Sequence, residues 1–133
     1  MKRDNEKKKK KSILVVDDDK INLQITRMNL ISKGYEVHTV VSGMDAISFL
    51  AQQSVDLILL DIEMPIINGV KTLELIRKRP EMARIPVIFL TASADVVSVI
   101  DATRLEAVDY VVKPFVPRDL LSRIKKALNE NKE

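Results

Sequence analysis

From Ser12 onward the chain alternates between two kinds of apolar pattern. Residues 12–17 (SILVVD) form a continuous apolar run closed by an acid, as in a strand buried on both faces. A helical pattern follows, with Ile21, Ile25, Met28 and Ile31 on one stripe and Gly34 placed to end it as the C′ residue. Residues 35–41 read as a second strand, and 44–53 as a helix carrying Ala46, Ile47 and Leu50. Residues 56–61 (DLILLD) give a third, wholly apolar strand, and a loop with Pro65 and the Asn68-Gly69 turn pair leads into a helix over 70–78, closed by Pro80. Strand, helix and strand are then predicted over 85–91, 94–105 and 108–112. After Lys113-Pro114 comes a final helix, with Pro117 near its first turn and apolar Leu120, Leu121, Ile124 and Leu128.

Five βα units without internal repetition fill residues 12–130. Strands that alternate with helices require right-handed crossovers and a parallel sheet covered on both faces. Five strands are too few for an eight-fold barrel. The expected fold is therefore α/β, a (βα)5 doubly wound sheet in the flavodoxin-like order 2-1-3-4-5.

Charge changes the picture only at one end. Residues 1–12 hold seven basic and two acidic groups, a balance of +5, so the other 15 basic and 17 acidic groups leave −2 on the rest. The basic character thus belongs to a tail over residues 1–11, read as a solvated extension ahead of a single domain over 12–130. With no aromatic residue interleaved, the tail offers no stacking platform for single-stranded nucleic acid. The chain has no cysteine, which removes disulfides, thiolate metal sites and cysteine nucleophiles. Its one histidine, His38, falls on the second strand and reads as an exposed strand-edge residue. The N-terminus has no apolar signal region, and no apolar run reaches the ~18 residues of a membrane span, so a cytoplasmic location is expected.

Candidate chemistry follows from the fold. In such sheets ligands bind beyond the carboxyl ends of the strands, at the switch point between strands 1 and 3. The polar residues ending those strands are Asp17 and Asp18, then Asp61, Thr91 and Lys113, whereas strand 2 ends in Val40-Val41. Taken singly, each has a plain reading: turn acids with Asp19 capping the next helix, a loop acid, a strand-end hydroxyl, a surface cation. Set side by side, they conflict. Two full charges about 4 Å apart repel by roughly 4 kcal/mol at an effective dielectric near 20, and three carboxylates cannot all stay ionised there without a proton or a cation. A small, open oxygen cluster suits Mg²⁺, with Mn²⁺ as the alternative ion. Cation, lysine and hydroxyl around a carboxylate make a phosphoryl site. The absence of a Gly-rich phosphate loop argues against nucleotide as the direct donor.

VVDD at 15–18, LLDIEMPIING at 59–69, FLTA at 89–92 and YVVKPF at 110–115 resemble the signature of receiver domains of two-component response regulators, of the chemotaxis-regulator kind. The resemblance spans about residues 12–130. It implies that Asp61 is the phosphoacceptor and that Asp17, Asp18, Asp61 and the backbone carbonyl of Glu63 hold Mg²⁺. It also implies that Thr91 and Lys113 contact the phosphoryl group, that Tyr110 is the switch aromatic, that Glu63 and Ser93 tune phosphoryl lifetime, and that the Lys113-Pro114 bond is cis. Two departures stand out: residues 104–110 (RLEAVDY) lack the Gly-Ala common before the fifth strand, and Glu63 is a charged choice beside an anion.

The expected function is a stoichiometric switch, not a turnover enzyme, although it catalyses its own phosphorylation and dephosphorylation. Asp61 takes a phosphoryl group from a sensor histidine kinase or a phosphotransfer protein. Thr91 is drawn toward it, and Tyr110 rotates from exposed to buried. The remodelled face, formed by the helix over 94–105, the fifth strand and the final helix, meets a downstream protein. The expected state is a monomer or a phosphorylation-dependent dimer, with no room for a DNA-binding domain and no membrane contact. Other classes fit less well. A haloacid-dehalogenase-like phosphatase with Asp17 as nucleophile leaves Asp61 unexplained and lacks an acidic pair after Lys113. A flavodoxin needs a Ser/Thr/Gly-rich loop where this one is acidic, and a phosphohistidine carrier needs a helical histidine.

Overall fold

Strands β1 (Ser12–Val16), β2 (Glu36–Val40), β3 (Leu57–Asp61), β4 (Val87–Thr91) and β5 (Asp109–Val112) pair in parallel in the order β2-β1-β3-β4-β5. The computed structural model describes residues 9–93 and 106–130. Four helices lie among the described residues: α1 (Lys20–Ile31), α2 (Gly43–Gln52), α3 (Gly69–Arg77) and α4 (Pro117–Ala127). The helix expected over 94–105 lies outside them, as does most of the basic tail.

The continuous apolar runs follow from burial on both faces. Successive side chains of a strand point to opposite sides. Leu14, Val16, Ile58, Leu60, Val87 and Phe89 therefore enter one core, closed by Ala46, Ile47 and Leu50 of α2 and Leu73 and Ile76 of α3. Their neighbours Ile13, Val15, Leu57, Leu59, Ile88 and Leu90 enter the other, closed by Leu23 and Leu30 of α1 and Leu120 and Ile124 of α4. The register pairs Val16 with Leu60, Asp61 with Leu90 and Thr91 with Val112. The strands thus end together along one edge of the sheet.

Helix α1 corrects one expectation. Ile21, Ile25, Met28 and Ile31 do not face the core; Ile21 is 72% exposed, and Leu23, Thr26 and Leu30 are buried instead. At about 100° per residue the two sets lie on opposite sides of the helix, and both have a helical spacing. Packing decides between them: Leu23 and Leu30 join the core against β1 and β3. Asp19 caps its start, accepting from the amides of Ile21 and Asn22. At its end Gly34 adopts φ +97°, its amide donates to Ile31 O and the Tyr35 amide donates to Leu30 O. That pairing is a Schellman stop with Gly34 at C′ as expected, and it turns Leu30 and Tyr35 into the same core. His38 needs a second correction. It lies on edge strand β2 but is only part-exposed, 2.8 Å from Glu36 Oε2 and with its ring 5.0 Å from that of Phe49.

The β3–α3 loop holds Ile66 at φ +70°, with the side chain 98% exposed. A β-branched residue in the left-handed region is strained, and this one has no packing to offset the strain. Ile66→Gly is expected to raise stability by about 0.5–1 kcal/mol, read as a higher urea midpoint at unchanged slope.

Candidate functional site

The shared carboxyl edge brings Asp17, Asp61, Thr91 and Lys113 together. Asp17 and Asp61 are buried, at 2% and 3% exposure, and Asp18 beside them is exposed. One carboxylate oxygen from each of Asp17, Asp18 and Asp61 lies within 4.8 Å of the others. Lys113 Nζ stands 3.3 Å from Asp17 Oδ2 and 3.3 Å from Asp61 Oδ1, bridging the two buried acids. Backbone contacts fix both sides of this bridge. The Asp17 amide donates to Val40 O, and its Oδ1 accepts from the Asp19 amide at 2.9 Å. The Lys113 amide donates to Thr91 O at 2.7 Å, and the Lys113–Pro114 bond is cis. Asp19 takes no part, since its carboxylate caps α1.

The electrostatics follow from burial. Burial pushes the Asp61 carboxyl up, the Lys113 ammonium pulls it back, and the Asp17 and Glu63 carboxylates push it up again, leaving a pKa of about 6. For Lys113, burial disfavours the ammonium, but Asp61 and Asp17 outweigh it and hold the pKa above the ordinary lysine value. Two buried acids and a third at the rim against one ammonium leave excess negative charge. That surplus, presented by hard oxygens with an open side, fits a divalent cation of the Mg²⁺ kind.

The β3–α3 loop closes one flank. Gly69 starts α3 directly against the backbone of Asp61, where a Cβ would collide with the Asp61 carbonyl oxygen and Ile62 Cα, so no larger residue fits. Its amide donates to Ile62 O at 2.9 Å. The loop sends the Glu63 side chain across to the end of β4. There Thr91 Oγ1 donates to Glu63 Oε2 at 2.6 Å, and the Ala92 amide donates to Glu63 Oε1 at 3.0 Å. Thr91 also accepts from the Ser93 amide at 3.2 Å; its single proton faces Glu63 Oε2 at 2.6 Å and the more distant Ser93 O at 3.3 Å, so the short bond to the carboxylate is the stronger one.

The Thr91 hydroxyl is fully buried and bonded to the Glu63 carboxylate, a partner the sequence did not indicate. Tyr110 on β5 is 42% exposed. Sequence reasoning singled out Glu63 but not its bond to Thr91, and it missed the Ala92 amide altogether. Neither the direction of a side chain two residues past a strand nor a backbone donor has a sequence signature. Beside the acids an open cavity of about 530 Å³ is lined by Asp17, Asn22, Ile25, Ala92, Lys113 and Phe115.

Residues 13–125 match the family model of the response regulator receiver domain. The chain is 40% identical over 112 residues to the "Probable transcriptional regulator ycf27" of Cyanidium caldarium, covering 84% of this chain and 44% of that protein. It therefore spans less than half the length of this curated relative. Among solved structures, a CheY-like response regulator receiver domain protein from Methanospirillum hungatei JF-1 is 34% identical, with a TM-score of 0.81 over 92% of this chain and 96% of that one. The receiver domain of a sensor histidine kinase from Pseudomonas aeruginosa PAO1 is 29% identical, with a TM-score of 0.83 over 91% and 99% of the two chains; its structure has a magnesium ion coordinated in the active-site cleft. No helix among the described residues is long and apolar enough to cross a membrane.

The raised pKa of Asp61 sets a pH dependence. Its carboxyl titrates near 3.8 when unfolded and at about 6 when folded, so the folded state binds the extra proton between those values. Without divalent cation, stability is therefore expected to fall as pH rises from about 4 to 6 and to stay lower above that. Asp61→Asn should flatten this decline and be more stable than the parent at pH 7 by about 2 kcal/mol, measured by urea unfolding in chelator.

Proposed function

The chain belongs to the response regulator receiver family, and from that premise we propose that it is a switch in which Asp61 accepts a phosphoryl group from a sensor histidine kinase or phosphotransfer protein. The observation that carries this reading is the Lys113 ammonium held between buried Asp17 and Asp61, at the edge where the family's motifs converge. An Asp61 oxygen attacks phosphorus in line with the donor's P–N bond. As the new P–O bond forms, the imidazole nitrogen leaves with the bonding pair. Lys113 stays protonated throughout and offsets charge on the transferred oxygens, which is the main requirement of phosphoryl transfer. Asp17, Asp18, Asp61 and the backbone carbonyl of Glu63 would hold Mg²⁺, or Mn²⁺ in its place. Such an ion neutralises charge on the acceptor and the transferring oxygens. Attack by water on phosphorus returns the carboxylate and inorganic phosphate, so the chain acts once per signal and not as a turnover enzyme.

The partner reading rests on surfaces. The apolar stripe of Ile21, Ile25 and Met28 is exposed, and Ile25 also lines the cavity beside Asp17 and Lys113. A donor helix bearing phosphohistidine can bury this stripe while presenting its histidine to Asp61. The downstream protein is assigned to the face of β5 and α4, where Tyr110 is exposed. Ser93, with Glu63, is assigned to phosphoryl lifetime, being hydrogen-bonded to Thr91.

Acetyl phosphate with Mg²⁺ is expected to add one phosphoryl mass to the intact protein. Asp61→Asn should abolish the addition, and Lys113→Ala should slow it at least tenfold. Equal labelling of the Asp61→Asn protein would remove Asp61 as acceptor. Deleting residues 1–10 should leave the rate unchanged, because the first ladder contact, Glu36 N–H to Lys11 O, is retained. A large loss of rate with a kinase donor would make the tail a docking element.

A further inference from the structure

The Thr91–Ala92 corner grips an anion that belongs to the protein itself. Both oxygens of the Glu63 carboxylate are taken, one by the Thr91 hydroxyl at 2.6 Å and one by the Ala92 amide at 3.0 Å. A fork of two adjacent donors that fits a carboxylate also fits two oxygens of a phosphoryl group. Thr91 is fully buried and has one proton, whose shortest partner is Glu63 Oε2 at 2.6 Å against 3.3 Å for Ser93 O, so while Glu63 holds it no second anion can take it. Glu63 itself is exposed, so its carboxylate can swing out and rehydrate at small cost. The same carboxylate also adds negative charge at Asp61.

On the reading of Asp61 as phosphoacceptor, we propose that Glu63 is a built-in competitor for the phosphoryl group, holding the Thr91 and Ala92 donors that the transferred oxygens need. Modification of Asp61 then exchanges one anion for another at this fork. Thr91 stays bonded before and after, and what changes is the release of Glu63 to solvent. Loss of the phosphoryl group lets Glu63 return. Glu63 acts here as a positioning residue, since it touches the donors and not the reacting phosphorus.

Occupancy and bare charge can be separated by three variants. Glu63→Ala removes both. Glu63→Asp keeps the charge but is one methylene too short to span to Thr91 and Ala92. Glu63→Gln loses the charge but keeps one oxygen able to accept. The rate of Asp61 modification by acetyl phosphate with Mg²⁺ is expected to rise about tenfold in both the Ala and the Asp variant, as for removal of a charge-assisted bond, and less in Gln. In metal-free, phosphate-free protein the Ala92 amide proton should resonate at low field and move upfield in the Ala and Asp variants. If Gln is as fast as Ala while Asp stays as slow as the parent, charge alone is responsible and the competitor is ruled out. An unmoved Ala92 amide, or an unchanged or slower rate in the Ala variant, overturns the proposal while a modified parent keeps Asp61 as acceptor. A parent that is never modified overturns both.

Discussion

The ammonium of Lys113, 3.3 Å from each of two buried carboxylates, is the contact on which the site and much of the fold's carboxyl edge depend. Removing the lysine would leave two buried carboxylates without a counter-charge, at a cost of roughly 3–5 kcal/mol, so it is not interchangeable with a surface cation. Its reach also ties β5, at one side of the sheet, to β1 near the other, across β3 and β4. Even so, one positive charge does not balance Asp17, Asp18 and Asp61. Burial above all, with the Asp17 and Glu63 carboxylates, holds the Asp61 carboxyl up at about 6 despite Lys113, and the surplus charge leaves room for a hard cation. A site that is electrostatically incomplete without ligand is poised to respond to one.

The sheet converts that requirement into geometry. Parallel strands whose ladders run in register end along one line, so residues far apart in sequence arrive at the same edge. Two apolar layers clamp the strands from both faces, and close packing leaves the strand ends little freedom to drift. Gly69 adds a local constraint: by admitting the start of α3 against the Asp61 backbone, it fixes the loop from which Glu63 reaches back to β4.

Features that do not serve packing gather near this edge. The exposed stripe of α1 and the strained, exposed Ile66 are each unfavourable for the isolated domain. Local choices that conflict with stability are expected at functional surfaces, and both elements adjoin the acidic site. The Glu63 clamp belongs with them. It satisfies the buried Thr91 hydroxyl and the Ala92 amide, and so avoids an orphaned hydroxyl.

The sequence by itself determined the α/β class and which strand ends carry acid, hydroxyl and amine, because continuous apolar runs and their terminal residues follow from burial on both faces; the strand order followed only as the common solution for five βα units. It also determined that Gly34 ends α1, since φ near +97° at C′ selects glycine. It did not determine which side of α1 faces the sheet. Ile21-Ile25-Met28 and Leu23-Thr26-Leu30 are both helical stripes, and only packing of Leu23 and Leu30 on the sheet shows which one is buried. Nor did it determine that His38 packs on Phe49, a contact between an edge strand and a helix. The partner of Thr91 was likewise settled only in three dimensions. β3 and β4 are neighbours, the loop after Asp61 turns back, and a flexible acid two residues on meets a hydroxyl and an amide 28 and 29 positions away. Periodicity reports which faces are buried; it carries no information about where an exposed side chain reaches, because that depends on distances between elements that only packing fixes.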